Sequence, residues 1–278
     1  MSEFVPPLAG VMGWPIAHSR SPVLHGHWLK RYGIQGHYVA LGIAPANFEA
    51  AINALPVLGF RGVNVTIPYK EKILSLADAI TDRAALIGAA NTITFRPDGT
   101  LHADNTDGIG FLESVRSTAP EWDVRSGPAV VLGAGGAARA IISALLTSGA
   151  PEVRIANRTR QKAEMLAEHF GGRMVAVDWS KASEAFDGAN TIINTTALGM
   201  TGKPPLPISF DAAVSGALAV DIVYTPLETQ FLTNARAAGL ATVDGLGMLL
   251  HQAVPGFESW FGQRPEVDAD LHQAVLNA

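Results

Sequence analysis

Residues 128–148, PAVVLGAGGAARAIISALLTS, decide the fold. The run from Ala129 to Leu132 is apolar without alternation, the mark of a strand buried on both faces. Gly133-x-Gly135-x-x-Ala138 follows and opens an alanine-rich helix that Gly149 ends. Strand, glycine turn and helix in this order begin a dinucleotide-binding unit. Gly133 permits the tight turn, Gly135 lets the backbone approach a pyrophosphate, Ala138 allows close helix–strand packing, and the phosphates face the helix N-terminus. A glycine-rich turn that serves packing alone is the competing reading. The complete βαβ context favours the nucleotide.

The next strand, EVRIANR (152–158), ends where the NAD type of this unit carries an acid for the ribose 2′-hydroxyl. Asn157, Arg158 and Thr159 stand there instead. A carboxylate would repel a 2′-phosphate, whereas Arg158 offers it a planar fork of donors and Thr159 a hydroxyl. Lys162, one helical turn on, supplies a second positive charge. Solvated charges at a helix start are the alternative, but cations there oppose the helix dipole, so an anionic partner explains Arg158 better. The stretch points to NADP(H).

Working outward, TRQKAEMLAEHF reads as the following helix, and RMVAVD, NTIINTT and ALAVDIVY read as further strands. Upstream, LAGVMGW, GHYVALGI and FRGVNVTI read as strands separated by the helices SPVLHGHWLKRYG and PANFEAAINAL. Strands alternating with helices of this length favour parallel pairing. NTITF and TLHADN, joined through Pro97-Asp98-Gly99, read as a hairpin on that sheet. Two closing helices are expected near 246–261 and 266–277. The fold class is therefore α/β with two α/β domains. An N-terminal substrate domain with a mostly parallel sheet takes residues 1–106 and 245–278, and a Rossmann-type NADP-binding domain takes 107–244. A cleft between such domains is the expected ligand site.

Composition narrows the function classes. The 278 residues are 48% hydrophobic and 16% charged, long enough for two cores. A formal net charge of −5 without a basic block argues against nucleic acid. No cysteine is present, so neither a disulfide framework nor a thiolate zinc site can form. MSEFVPPLAGVMGW lacks a basic region followed by a long apolar run, so no signal peptide is expected. No apolar stretch is long enough to cross a bilayer. A soluble, cytoplasmic protein follows. Its oligomeric state is open, a homodimer included.

The N-terminal half carries polar residues at strand ends: HSRSP, NVTIPYK, AANTI and DNTDG. There is no G-x-S-x-G, no H-E-x-x-H and no carboxylate cluster, so neither a serine triad nor a metal is indicated. His25 and His27, at i, i+2, do not align on one helix face and are read as structural. Hydride transfer at a carbinol carbon needs a group that gives or takes the hydroxyl proton. Lys70 and Asp107 are candidates at strand–helix junctions. Asp107 could equally be an N-cap for GIGFLESV.

The motifs together resemble the shikimate dehydrogenase family, shikimate and quinate enzymes included. GWPIAHSRSP, GVNVTIPYK, GAANT, DNTDG, GAGGAARA, NRT, NTTALGM, DIVYTPLET and DGLGMLLHQA occur in family order over nearly the whole chain. The resemblance implies reversible NADPH-dependent reduction of 3-dehydroshikimate to shikimate, on the route to chorismate and aromatic amino acids. It implies that Lys70 and Asp107 form the catalytic pair, Lys70 passing the proton and Asp107 holding it and binding a substrate hydroxyl. Ser19 and Ser21 would bind the substrate carboxylate, and Thr66, Asn91 and Gln252 the carboxylate or ring hydroxyls, with Tyr224 nearby. For the cofactor it implies Gly133, Ala134, Gly135, Gly136 and Ala137 at the phosphates. Asn157, Arg158, Thr159 and Lys162 fall at the 2′-phosphate, and Ile222 and Gly245 at the nicotinamide. Both serines of S-x-S are present, which favours shikimate over quinate, and Lys162 stands where an arginine is common. A quinate-leaning enzyme using NAD, and a catalytically silent NADPH-binding protein, are the rival readings.

Overall fold

The computed structural model describes residues 5–278; the first four, at the head of the stretch read for a signal peptide, lie outside the described residues. Two compact units divide the chain, one taking residues up to Thr106 together with Leu249–Ala278, the other Asp107–Met248.

The first unit opens with β1 (Leu8–Gly13), α1 (Ser21–Arg31), β2 (His37–Gly42), α2 (Phe48–Ala54) and β3 (Phe60–Val65). Next come β4 (Ala79–Ile80), α3 (Asp82–Ile87), β5 (Thr92–Phe95) and β6 (Leu101–Asp104). The sheet order is β2-β1-β3-β5-β6-β4. β1 pairs in parallel with β2 and β3, and β4 with β6, while the β5–β6 hairpin joins antiparallel to β3. The expected hairpin is thus present. β4 and α3 were not foreseen, because a two-residue strand has no periodicity to read. α3 has clear end signals all the same: Thr81 accepts from the Ala84 N–H, and Gly88 closes the helix at φ 70°.

The second unit runs α4 (Asp107–Thr118), β7 (Ala129–Leu132), α5 (Gly136–Thr147), β8 (Val153–Ala156), α6 (Arg160–Phe170) and β9 (Met174–Val177). It continues with β10 (Thr191–Asn194), β11 (Leu218–Asp221), α7 (Gln230–Ala237) and β12 (Ala241–Val243). All pairings are parallel, in the order β12-β11-β10-β7-β8-β9. That is the doubly wound order in which the chain reverses direction between β7 and β10, where ligands of such sheets bind. β7, β10 and β11 are buried along their whole length, as continuous apolar runs require. β11 stops at Asp221 rather than at the expected Tyr224. The Asp221 carboxylate accepts from the Val223 N–H at 3.0 Å and turns the chain out of the sheet. β10 ends at Asn194 in the same way, its Oδ1 accepting from the Thr196 N–H and hydroxyl.

The closing helices are α8 (Gly245–Phe261) and α9 (Ala269–Leu276). The unit boundary falls inside α8, four residues past the expected 244/245 division, because Met248 packs in the core of the second unit with Val243 and Val220. α9 starts three residues later than expected, since Asp268 is its N-cap and accepts from the Leu271 N–H at 2.9 Å. The segment before α9 is tied to α1, and α8 to the N-terminal sheet. Trp28 Nε1 donates to the Glu266 carbonyl at 2.9 Å, and Trp260 Nε1 donates to the Ile93 carbonyl at 2.9 Å. The indole of Trp260 crosses β3 at Gly62, where an added Cβ would lie 2.0 Å from Nε1, so only glycine admits it.

Candidate active site

In the first unit the site residues cluster at the carboxyl ends of β1 and β3. Trp14 N–H donates to the Ile67 carbonyl at 3.0 Å and Thr66 N–H to the Met12 carbonyl at 2.9 Å, locking the end of β1, which leads into HSRSP, to the NVTIPYK segment. Gly13 allows this approach, because a Cβ there would lie 2.5 Å from the Thr66 methyl. Ser21 is buried at the start of α1, and its N–H donates to Ser19 Oγ at 3.3 Å. Lys70 follows Tyr69, whose ring stacks on Phe48 at 4.1 Å, so α2 steadies the lysine-bearing loop. The Lys70 carbonyl accepts from the Ala90 N–H at 2.7 Å, which fixes Lys70 beside the strand entry carrying Asn91. Bonded turns and packed rings hold the lysine's backbone in one conformation.

A buried polar network lies behind these residues. Tyr38 donates to Asn64 Oδ1 at 2.7 Å, and Asn64 Nδ2 donates to the Asn91 carbonyl at 3.2 Å. Asn91 Nδ2 in turn donates to Gln252 Oε1 at 3.1 Å, so two expected substrate residues 161 positions apart meet. Burial raises the Tyr38 phenol well above its ordinary value, and it stays a neutral donor. Tyr38, Thr92 and Thr106 are not among the residues the sequence singles out for the site; Thr92 and Thr106 lie inside GAANT and DNTDG, whereas Tyr38 lies in no motif. His25 is structural in the way expected. It is wholly buried, stacked on Tyr38 at 3.8 Å, and burial lowers its pKa to about 3.

In the second unit, Asp107 is buried as the first residue of α4 rather than an N-cap before it. Gly108 has no room for a side chain: a Cβ there would lie 2.9 Å from the Ala140 carbonyl, where α4 packs on α5. Gly133 has φ 110°, and its added Cβ would lie 2.7 Å from Thr195 Oγ1 across the switch point between β7 and β10. Ala138 is buried against the sheet. Gly135 differs. Its φ of −95° suits any residue, and an added Cβ would meet no protein atom within 4 Å. Neither backbone strain nor packing accounts for glycine there, whereas a pyrophosphate lying against the chain does. Ala134, Gly136 and Ala137 complete this turn and open α5, whose first turn holds no acid.

The adenosine end also fits NADP(H). Asn157 Nδ2 donates to the Thr159 carbonyl at 2.8 Å and shapes the turn into α6. Thr159 is the N-cap, but its side chain caps nothing, so Arg158 lies just outside the helix and Lys162 in its first turn. Arg160 pairs with Glu164 and Asp178. Arg158 and Lys162 have no carboxylate partner among the described residues, and both are exposed. Toward the other end, Gly245 sits against the chain leaving β11: its added Cβ would lie 2.3 Å from the Ile222 carbonyl oxygen. Ile222 and Gly245 are therefore neighbours, and half-buried Tyr224 follows two residues on. Asp221 anchors this segment, accepting from Thr229 Oγ1 at 2.7 Å and Asn194 Nδ2 at 3.0 Å as well as from Val223. Burial raises its pKa to about 6 despite these bonds.

Three family descriptions match the chain: the shikimate dehydrogenase substrate binding domain over residues 11–93, shikimate / quinate 5-dehydrogenase over 115–201, and the shikimate 5′-dehydrogenase C-terminal domain over 245–276. A shikimate dehydrogenase (NADP(+)) of Paracoccus denitrificans is 60% identical over 270 residues, 97% of this chain and 96% of that protein. The chain belongs to the shikimate dehydrogenase family. Among solved structures, a shikimate 5-dehydrogenase from Thermus thermophilus in complex with NADP(H) and shikimate is similar at TM-score 0.87 and 37% identity, covering 98% of this chain and 99% of that one. A quinate dehydrogenase from Corynebacterium glutamicum in complex with NAD is similar at TM-score 0.90 and 29% identity, with 98% and 99% coverage. Shikimate and quinate members thus share the backbone, and side chains must separate them. Among the described residues no helix of this family member is long and apolar enough to cross a membrane.

Proposed function

We infer that this family member catalyses the reversible NADPH-dependent reduction of 3-dehydroshikimate to shikimate. The observation that carries the reading is the 60% identity, over 97% of the chain, to a relative named for that reaction and cofactor. Residues 133–137 hold the pyrophosphate, Asn157, Arg158, Thr159 and Lys162 the 2′-phosphate, and Ile222 and Gly245 the nicotinamide. The bound cofactor supplies the hydride. Ser19 and Ser21 hold the substrate carboxylate, and Thr66, Asn91, Tyr224 and Gln252 orient the ring. Lys70 gives a proton to the carbonyl oxygen as it gains charge and takes one back in the reverse direction. Asp107 holds the lysine and binds a substrate hydroxyl. The substrate role falls to residues 1–106 with the closing helices, the cofactor role to the Rossmann unit.

The support is local and chemical: a lysine on a loop held by stacked rings, buried amides beside it, and a glycine turn whose open position packing does not explain. Steady-state rates with shikimate and quinate, each with NADP⁺ and NAD⁺, test the assignment. The shikimate–NADP⁺ pair should lead; a lead for quinate or NAD⁺ would overturn it. Lys70→Ala should lower kcat by about 10²–10⁴-fold while changing shikimate binding far less. Full turnover in that variant would remove Lys70 from the mechanism.

A further inference from the structure

Thr106, one residue before Asp107, is fully buried and has no role in the reading above. Its main-chain N–H donates to Asn91 Oδ1 at 2.8 Å. A backbone N–H can only donate, so the orientation of the Asn91 amide follows from Thr106. Asn91 Nδ2 is thereby turned to Thr106 Oγ1 at 3.0 Å and to Gln252 Oε1 at 3.1 Å. An amide NH₂ also only donates, so Gln252 must face Asn91 with its oxygen and turn its Nε2 away, toward the Leu249 carbonyl at 3.0 Å. The Thr106 hydroxyl, having accepted from Asn91 Nδ2, has two acceptors for its one proton, the Gln252 carbonyl at 2.8 Å and Asn91 Oδ1 at 3.1 Å, and the shorter contact ties it to α8. Thr92 Oγ1 lies 3.1 Å away and donates to Asn91 Oδ1 at 2.9 Å, which closes the network.

We propose that Thr106 is the positioning residue of the substrate site: it sets which atom each amide of Asn91 and Gln252 presents, and it holds the main chain of α8 at Gln252. This rests on the reading of Asn91 and Gln252 as substrate ligands. Thr106→Val keeps the shape but removes the acceptor for Asn91 and the donor to Gln252; Thr106→Ser keeps both.

KM values for shikimate and NADP⁺ should be measured for both variants, for Asn91→Ala and Gln252→Ala, and for the Thr106→Val/Gln252→Ala double variant, with Thr106→Ala replacing valine if that variant does not fold. Thr106→Val should raise the KM for shikimate about tenfold or more and leave that for NADP⁺ within about twofold. Thr106→Ser should stay near the parent. The double variant should lose less than the product of the single effects, because the two residues act as one. An unchanged KM for shikimate in Thr106→Val, a parallel rise for both ligands, a serine variant as impaired as valine, or multiplicative losses would each overturn the proposal. If Asn91→Ala and Gln252→Ala leave the KM for shikimate unchanged, the substrate reading fails first. If they raise it and Thr106→Val does not, the positioning role alone is refuted.

Discussion

Acid reaches His25 in the unfolded chain well before it can protonate the folded protein. The ring is sealed among Trp28, Tyr38, Phe257 and Trp260, neither ring nitrogen has a hydrogen-bond partner among the described residues, and burial lowers its pKa from 6.5 to about 3. A depressed folded pKa means that the unfolded state binds the proton first. Stability is therefore held above about pH 6.5 and lost at about 1.4 kcal/mol per unit as the pH falls toward 3. Between pH 7 and pH 5 this loss comes to about 2 kcal/mol. Asp221 works in the opposite direction. Its pKa is raised from 3.8 to about 6, so the folded state binds the proton first. It adds about 1 kcal/mol over the same interval, a contribution that disappears as the pH rises through about 6. The two groups together leave a net loss of about 1 kcal/mol. His25→Phe keeps a ring against Tyr38 and removes the larger contribution, so that variant should gain about 1 kcal/mol on going from pH 7 to pH 5. Asp221→Asn should instead lose about 2 kcal/mol. Urea unfolding of the three proteins at both pH values reads these differences directly. Identical pH dependence in the parent and His25→Phe would refute the burial argument, as would a His25 resonance titrating near 6.5 in the folded protein.

Two further outcomes concern the cofactor. Gly135→Ala should melt within about 1 °C of the parent yet raise the KM for NADP⁺ about tenfold or more, since its methyl meets only the ligand's space; Gly133→Ala, at φ 110° and against Thr195, should lose stability as well. A Gly135→Ala protein with normal affinity would show that this glycine is not a phosphate cradle. Arg158→Ala should raise the KM for NADP⁺ by about 10–100-fold and leave that for NAD⁺ unchanged, because a charge-assisted bond to the 2′-phosphate is worth about 1.5–3 kcal/mol. Equal losses with both cofactors would place Arg158 elsewhere.

The parts legible in the sequence were those written in local spacing. β7, its glycine turn and α5 form one continuous stretch, and Asn157 to Thr159 follow at the fixed distance a βαβ unit imposes, so fold class and cofactor type could be read from about thirty residues. The motif order then pointed to Lys70, Asp107 and the other residues proposed for the site. What stayed hidden has no local signature. Gly62 and Gly108 look like ordinary glycines until the Trp260 indole and the α5 backbone lie against them. Asp221 reads as one more acid in a motif, yet burial by the elements around β11 raises its pKa and makes it the anchor of the segment behind Ile222. Thr106, Asn91 and Gln252 are drawn from a strand entry, a strand exit and a closing helix, and only their common burial turns three separate hydrogen-bonding side chains into one oriented set. The sequence by itself determined the chain's supersecondary units and the chemistry they carry, because periodicity and turn residues act over a few positions. The tertiary structure alone decided the orientation of the buried amides and the ionisation of the buried groups, because desolvation and hydrogen-bond direction depend on neighbours distant along the chain.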